Sequence, residues 1–220
     1  LSGEPEDMVS AASSLVTALR DGDPPRAVDD LVDLDLFETD LPLGHLLENL
    51  SAAHAPQDFS LLLTGPPGTG KTGLAHHLAR ALDRPLITKR ASDLLSKWVG
   101  ETEAQIAGAF REAERRGGVL LFDEIDSLLF DRQDATRSWE VTQVNELLTW
   151  LDRHPLPFVA ATNHAGRLDP AALRRFVFKL ELRPFGPSRA ARAFERFFGQ
   201  APPASPTARA PRGFRGRGGL

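Results

Sequence analysis

The sequence reads Gly65-Pro66-Pro67-Gly68-Thr69-Gly70-Lys71-Thr72 at the point that decides its fold. This stretch fits the pattern G-x-x-x-x-G-K-[ST], and it lies between an apolar run at 59–63 and a helical pattern that begins at Lys71. Its glycines let backbone N–H groups turn onto phosphate oxygens, and the N-terminus of the following helix attracts an anion. We predict that all eight residues bind nucleotide phosphates, that Lys71 reaches the outer phosphates and that Thr72 holds Mg²⁺. The alternative is a plain Gly-Pro turn, which has no need of the Lys-Thr pair.

Length and composition set the class of protein. With 220 residues, the chain has room for one α/β domain plus appendages. Its net charge of −4 argues against a surface that binds nucleic acid non-specifically. The sequence has no cysteine, which excludes disulfides and thiolate metal sites. Neither a transmembrane run nor a signal pattern is visible, so we expect a cytoplasmic protein with no membrane partner. Because the sequence starts with Leu1 rather than Met, we also expect that residues precede it.

The first part of the chain, residues 1–41, is predicted to be an N-terminal helical extension and linker. Apolar residues recur at helical spacing from Glu4 to Arg20, and a stretch rich in Asp and Pro at 21–25 ends the pattern. From Asp29 to Asp40 acidic residues alternate with apolar ones, which indicates a partly buried lead-in to the core. The apolar stripe of the first helix has two possible docking sites, the main domain or a partner.

Residues 42–185 alternate between strand and helix patterns, which predicts a parallel five-stranded sheet with helices on both faces. The predicted strands are 59–64, 85–89, 119–123, 158–162 and 177–182, and the predicted helices are 43–53, 71–82, 102–116, 139–153 and 188–198. In such sheets ligands bind beyond the carboxyl ends of the strands. The Gly65 to Thr72 loop follows a strand and therefore lies at that edge.

The C-terminal residues differ in composition from the core. Residues 186–200 are a possible start of a helical lid, whereas residues 201–220 are rich in Ala, Pro, Arg and Gly and contain no acidic residue. Such a composition buries too little apolar surface to fold, so we predict a disordered tail. Its Arg-Gly run at 212–219 resembles an RNA-binding segment but is short, and an out-of-frame or truncated terminus is a third possibility.

Polar residues end two of the predicted strands. The run Val119 to Phe122 is followed by Asp123 and Glu124, and Asn163 follows the strand at 158–162. Asp123 is placed to hold Mg²⁺ through its water shell, and Glu124 to act as the general base on a water in line with the γ-phosphate. The alternatives are solvated acids at a strand end and, for Asn163, a turn-capping amide.

Several motifs in order give the chain a resemblance to the AAA branch of the AAA+ ATPases, over about residues 43–182. The motifs are Gly65 to Thr72, Phe122-Asp123-Glu124-Ile125-Asp126, Ala161-Thr162-Asn163, the run Arg167 to Arg175, the segment Lys97 to Glu103 and the helix segment Val144 to Thr149. The resemblance implies a ring, usually a hexamer, that binds ATP between subunits and pulls a polypeptide through its central hole. ATP and Mg²⁺ are the expected ligands.

The resemblance also assigns individual roles. Asn163 matches the family's sensor residue, and Trp98, Val99 and Gly100 match its pore loop, in which the flat apolar face of Trp98 grips an extended chain. An ordinary buried or interface tryptophan is the alternative for Trp98. In the arginine region, residues Leu173 to Lys179 lack the Gly-Arg pair of the family. Arg175 is therefore the first candidate for the arginine finger, and Arg174 is the second.

The leading prediction is therefore an ATPase, acting on the β–γ phosphoanhydride bond of ATP, that remodels or unfolds a protein client. A nucleic-acid-acting ATPase with the same core is the second hypothesis; the Arg-Gly run favours it slightly, whereas the acidic balance and Trp98 favour a polypeptide. The third hypothesis is a nucleotide-binding fragment without turnover, because only the helix predicted at 188–198 could begin a lid.

Overall fold

The computed structural model describes residues 34–201 with the exception of residues 53, 97, 99, 131–137 and 200, and it describes only the backbone of residues 138–140, 197 and 198. The predicted N-terminal helix at 4–20, most of the linker and the tail at 202–220 lie outside the described residues. These three predictions therefore stay predictions.

The described part of the chain contains a six-stranded sheet. Its strands are β1 (Glu38–Thr39), β2 (Ser60–Thr64), β3 (Leu86–Arg90), β4 (Val119–Asp123), β5 (Phe158–Thr162) and β6 (Phe178–Arg183). They lie in the order β1-β6-β2-β5-β4-β3, and all neighbours from β6 to β3 are parallel. The five predicted strands are confirmed, each with ends within one residue of the prediction.

The sixth strand, β1, was not predicted. It has two residues and pairs antiparallel with β6 at Glu38↔Arg183 and Thr39↔Leu182. Next to this pair, the amide of Glu181 donates to the Asp40 carboxylate at 2.8 Å. A strand of two residues has no measurable period in the sequence, and its existence depends on β6 far along the chain.

Seven α-helices accompany the sheet in the described residues. They are α1 (Leu43–Ser51), α2 (Lys71–Ala81), α3 (Ala91–Leu94), α4 (Glu101–Arg116), α5 (Ser138–Arg153), α6 (Pro170–Leu173) and α7 (Pro187–Phe198). The five predicted helices of the core and its C-terminal flank are confirmed, with ends that differ by two residues or fewer. The helices α3 and α6 were missed because four residues are too few for a helical period. Asp169 caps α6 by accepting from the Ala171 amide at 2.7 Å.

Alternate residues of the strands pack against different helices, which confirms the prediction of a sheet covered on both faces. One face presents Leu62, Leu120 and Phe158 to α4 and α5. The other presents Leu61 and Leu121 to α1 and α2. Because strand side chains alternate in direction, a continuous apolar strand such as 119–122 buries both of its faces. This packing on both faces makes the sheet a rigid support for the loops at the carboxyl ends of its strands.

The chain divides into two compact units, the first ending at Pro184 and the second beginning at Phe185. The described part of the second unit is α7, in which Pro187 occupies the first turn. Its role as the start of a lid stays a prediction. Within the described residues, none of the helices combines the length and the apolar character needed to cross a membrane.

A buried histidine makes the stability of the core depend on pH. His154 follows α5, its side chain is 2% exposed, and its Nδ1 lies 3.3 Å from Oε1 of Glu114 while Nε2 has no hydrogen-bond partner. Burial lowers the pKa of His154 below its ordinary value, and the Glu114 carboxylate only partly opposes this effect. The folded protein therefore binds this proton less readily than the unfolded chain does. The contribution of neutral His154 to stability is complete above the unfolded pKa of about 6.5. It is lost as the pH falls towards the lower pKa of the folded state.

We expect the free energy of unfolding to fall between pH 7.5 and pH 5.5, and to fall less in His154→Asn, because the amide cannot take up the proton. Urea unfolding at both pH values measures the two differences. The matched control is His76→Asn, since His76 is exposed on α2 and its replacement should keep the wild-type pH dependence. An unchanged pH dependence in His154→Asn would contradict the assignment.

Candidate functional site

The loop between β2 and α2 forms the floor of the site. Its three glycines all have positive φ, at 142° for Gly65, 79° for Gly68 and 89° for Gly70. A Cβ on Gly65 would lie 2.1 Å from the carbonyl oxygen of Leu182 in β6, so no larger residue fits there. The backbone of this loop can therefore approach a ligand closely, as the sequence predicts.

The remaining loop residues divide into exposed and buried positions. Pro66, Pro67 and Gly68 are exposed, whereas Thr69 is buried and its hydroxyl donates to the Pro66 carbonyl at 2.9 Å. Gly70 precedes α2 and has no side chain that could cap the helix. The first N–H groups of α2 therefore remain available to an anion that approaches across the exposed residues.

Lys71 is buried and its ammonium group bends back over the loop. Its Nζ donates to the carbonyl oxygens of Gly65 at 2.8 Å and Pro66 at 2.9 Å. Burial lowers the pKa of Lys71, and the negative charge of Asp123 opposes that shift. A bound phosphate would favour the charged form in the same way as Asp123, so Lys71 is a cation that is stabilised by an anionic ligand.

The hydroxyl of Thr72 lies next to the first of the two carboxylates at the end of β4. Thr72 Oγ1 donates to Asp123 Oδ2 at 2.9 Å, although 51 positions separate the two residues in the chain. The sequence-predicted magnesium residues are thus brought together. Among the described residues no group of three or more His, Cys, Asp or Glu is arranged so that it could hold a metal ion. An ion here would have two protein oxygens, which fits Mg²⁺ because this ion commonly takes its other ligands from water and substrate phosphates.

Glu124 extends from the same strand end into solvent. Its side chain is exposed, and its backbone has φ +57°, a left-handed conformation that is uncommon for a residue with a side chain. The Glu124 amide donates to Asp123 Oδ1 at 3.0 Å, and a 3-10 helix, Ile125–Ser127, begins directly after it. The two carboxylates at this strand end therefore have different surroundings, because Asp123 is half-buried beside Thr72 and Glu124 is exposed.

Asn163 is half-buried and follows β5. Because β5 is paired in parallel with β2 at Thr64↔Thr162, Asn163 and Gly65 are the next residues of adjacent strands. The sensor candidate therefore lies at the same edge of the sheet as the phosphate loop. Hydrogen bonds around its neighbour Thr162, which join this edge to Asp126, were not predicted. Both residues lie inside recognisable motifs, but their spacing carries no sign of a contact.

The two arginine candidates follow α6 and differ in their surroundings. Arg174 is exposed. Arg175 is held within its own chain, because its Nε donates to the Asp152 carboxylate at 2.9 and 3.0 Å and its Nη1 donates to the Ala171 carbonyl at 3.0 Å. Asp152 was not among the predicted site residues. Nothing in the sequence pairs it with Arg175, which lies 23 positions away.

The predicted pore-loop residues precede α4. Trp98 is 77% exposed, so within this single chain it is not a buried core residue. Its amide donates to Ser96 Oγ at 3.1 Å, and Gly100 takes φ +86° as the residue before α4. Val99 and Lys97 lie outside the described residues. An aromatic side chain with this exposure is available for contact with another chain.

Comparison with known proteins identifies the same family as these motifs. The sequence profile described as "ATPase family associated with various cellular activities (AAA)" matches residues 61–184. The chain is 40% identical over 131 residues to Protein SAV of Sulfolobus acidocaldarius, covering 56% of this chain and 17% of that protein. It is 41% identical over 134 residues to the Cell division cycle protein 48 homolog of Archaeoglobus fulgidus, covering 58% of this chain and 18% of the relative.

A third relative is matched over a longer part of the chain. The 26S proteasome regulatory subunit 8 homolog of Schizosaccharomyces pombe is 37% identical over 167 residues, which is 70% of this chain and 40% of that protein. The chain spans less than a fifth of the length of the first two relatives and less than half of the third. The residues that the family profile matches, 61–184, include the phosphate loop and the strand-end carboxylates.

Proposed function

Since this chain belongs to the AAA family of ATPases, we propose that it binds Mg-ATP at the loop Gly65 to Thr72 and hydrolyses the β–γ phosphoanhydride bond. The observation that carries the proposal is the bond between Thr72 Oγ1 and Asp123 Oδ2, at 2.9 Å. This bond brings a hydroxyl of the phosphate loop and a carboxylate of the neighbouring motif together, which supports a magnesium ion bound by both and by the phosphates.

In the proposed mechanism the loop binds and orients the triphosphate. Backbone N–H groups of the loop and the N-terminus of α2 surround the phosphates, and Lys71 leaves the carbonyls of Gly65 and Pro66 to contact the outer phosphate oxygens. Because Lys71 is buried, its charge interacts with the phosphates in a medium of lower dielectric constant than water. Positioning and charge stabilisation are the main contributions of a protein to phosphoryl transfer.

Thr72 and Asp123 are the residues that would hold Mg²⁺, Thr72 through its hydroxyl and Asp123 through its carboxylate or a bound water. The ion would neutralise charge on the phosphate oxygens during transfer. Glu124, whose carboxylate is exposed at the same strand end, takes the proton of the attacking water, and Asn163 orients that water without adding charge.

Replacement of Lys71 by Ala tests nucleotide binding. We expect the dissociation constant for ATP to rise by about 10- to 100-fold, the equivalent of about 1.5–3 kcal/mol for hydrogen bonds to a charged group. Titration calorimetry with ATP and Mg²⁺ measures the change. The matched control is Lys89→Ala on β3, because Lys89 pairs with Glu112 at 2.8 Å and should not affect the affinity. Equal affinity in wild type and Lys71→Ala would contradict the proposed site.

We also propose that the active form is a ring, a hexamer by analogy with the family, in which the site of one subunit is completed by an arginine of the next. Arg175 is the first candidate and Arg174 the second. A polypeptide client is supported by the exposed Trp98 and by the name of the proteasome-subunit relative. In this proposal Trp98, Val99 and Gly100 face the central hole, and Trp98 contacts the client through its apolar ring.

Replacement of Trp98 by Ala is expected to abolish unfolding of a model client while ATP hydrolysis continues. The client is a folded fluorescent protein with an unstructured tail, and loss of its fluorescence in the presence of ATP reports unfolding. Trp98→Phe is the matched control, because it keeps a flat aromatic face and should keep most of the unfolding activity. Undiminished unfolding by Trp98→Ala would rule out the pore role.

A further inference from the structure

The hydroxyl of Thr162 connects the two loops that carry Glu124 and Asn163. Thr162 is 1% exposed, and its Oγ1 donates to Asp126 Oδ1 at 2.6 Å. The same oxygen accepts a hydrogen bond from the amide of His164 at 2.9 Å. One buried hydroxyl thus holds a side chain from one loop and the backbone of the other.

The bridge lies directly beside the two proposed catalytic groups. Asp126 is the second residue after Glu124 and belongs to the 3-10 helix Ile125–Ser127, which is closed by a bond from the Ser127 amide to the Glu124 carbonyl at 3.1 Å. On the other side, Asn163 is the residue between Thr162 and His164. The bond from the His164 amide therefore spans Asn163, and the bond to Asp126 ties this segment to the turn that follows Glu124.

The hydrogen bonds of the Thr162 bridge are expected to hold their geometry firmly, for two reasons. The bond to Asp126 is short and has a carboxylate acceptor, which makes it stronger than a bond between neutral groups. Little water reaches Thr162 to compete with it. Glu124, two residues before Asp126, has a left-handed backbone at φ +57°, a conformation that persists only where surrounding contacts hold it.

We propose that Asp126 and Thr162 are positioning residues that hold Glu124 and Asn163 at a fixed separation around the attacking water. Neither side chain is required to touch ATP. The inference rests on the proposed ATPase function, because it concerns the geometry of the hydrolysis step. A displacement of about 1 Å in such a step can lower the rate by about 100-fold.

Replacement of Thr162 by Val removes the hydroxyl and keeps the shape of the side chain. We expect kcat for Mg-ATP hydrolysis to fall by about 10- to 100-fold, while the dissociation constant for ATP changes by less than about twofold. Thr162→Ser keeps a hydroxyl at the same position and should recover most of kcat. A purely structural role would lower the free energy of unfolding and kcat together in Thr162→Val. In that case Thr162→Ser would also change the two quantities together.

The carboxylate side of the bridge has its own pair of variants. Asp126→Asn keeps an acceptor oxygen for the Thr162 hydroxyl and should lose less of kcat than Asp126→Ala, which keeps none. These two variants also serve if Thr162→Val fails to fold, because Asp126 is only half-buried and Thr162 stays in place. Equal kcat in wild type, Thr162→Val and Asp126→Ala would overturn the inference.

Hydrogen exchange of the His164 amide gives a readout that needs no turnover. The bond from this amide to Thr162 Oγ1 predicts slow exchange in wild type and Thr162→Ser, and faster exchange in Thr162→Val. If wild type binds ATP without hydrolysing it, the proposed function fails and the positioning role falls with it, even if the exchange pattern is as expected. If wild type hydrolyses ATP and exchange and kcat are both unchanged in Thr162→Val, the inference alone is wrong.

Discussion

Glu124→Gln is expected to bind ATP as tightly as wild type and to hydrolyse it about 10²- to 10⁴-fold more slowly, because the amide cannot accept the proton of the attacking water. Lys71 and Thr72, which we propose to contact the phosphates and the magnesium ion, are unchanged in this variant. Thr72 and Asp123 also keep the 2.9 Å bond at the position proposed for the magnesium ion. Binding and hydrolysis should therefore separate clearly.

The measurements are calorimetric titration with ATP and phosphate release under saturating Mg-ATP. Glu48→Gln is the matched control, since Glu48 is an exposed residue of α1 and its replacement should leave both quantities unchanged. If Glu124→Gln turned over ATP at the wild-type rate, Glu124 would not be the general base. If it failed to bind ATP, its role would lie in binding.

Arg175→Ala is expected to lower ATP hydrolysis in the assembled protein by about 10³- to 10⁵-fold without affecting ATP binding, because an arginine supplied by a neighbouring subunit stabilises charge in the transition state. The bonds of Arg175 to Asp152 and Ala171 engage its Nε and Nη1 and fix the plane of the guanidinium group. We expect this arrangement to hold Arg175 ready for the neighbour's γ-phosphate, which makes the ion pair with Asp152 part of the finger's support.

Mixing tests whether Arg175 acts between subunits. Subunits with Arg175→Ala keep Glu124, and subunits with Glu124→Gln keep Arg175, so mixed assemblies should regain part of the activity that each variant lacks. Arg174→Ala is the comparison for the second candidate, and Asp152→Ala breaks the ion pair while keeping the arginine. Full activity of Arg175→Ala together with an inactive Arg174→Ala would assign the finger to Arg174.

The sequence was sufficient to predict the strands and the longer helices because each has a clear apolar period or a continuous apolar run. The strand Val119–Asp123, for example, is apolar up to its first carboxylate, and the structure buries Val119, Leu120, Leu121 and Phe122 completely. The strand Glu38–Thr39 could not be predicted, since it depends on pairing with β6, more than a hundred positions later in the chain. Short elements owe their conformation to distant partners, and local sequence does not record these partners.

The candidate site was likewise predicted only in part. Motif spacing led to Lys71, Thr72 and Asp123, and the structure brings Thr72 and Asp123 within hydrogen-bond distance. The partners of these motifs escaped prediction. Asp152 and Arg175 meet only because the helix α5 ends near the segment that follows α6, and Asp126 meets Thr162 because β4 and β5 are adjacent strands. Contacts of this kind are set by tertiary packing and have no signature in residue spacing.

The central claim is that ATP is hydrolysed at a site completed by a second subunit, and steady-state Mg-ATP hydrolysis per subunit over rising protein concentration tests it most directly, with Glu124→Gln measured alongside. We predict a rate per subunit that climbs with concentration as neighbours assemble, and a rate about 10²- to 10⁴-fold lower in the variant. A wild-type rate indistinguishable from that of Glu124→Gln at every concentration, with ATP still bound, would contradict it.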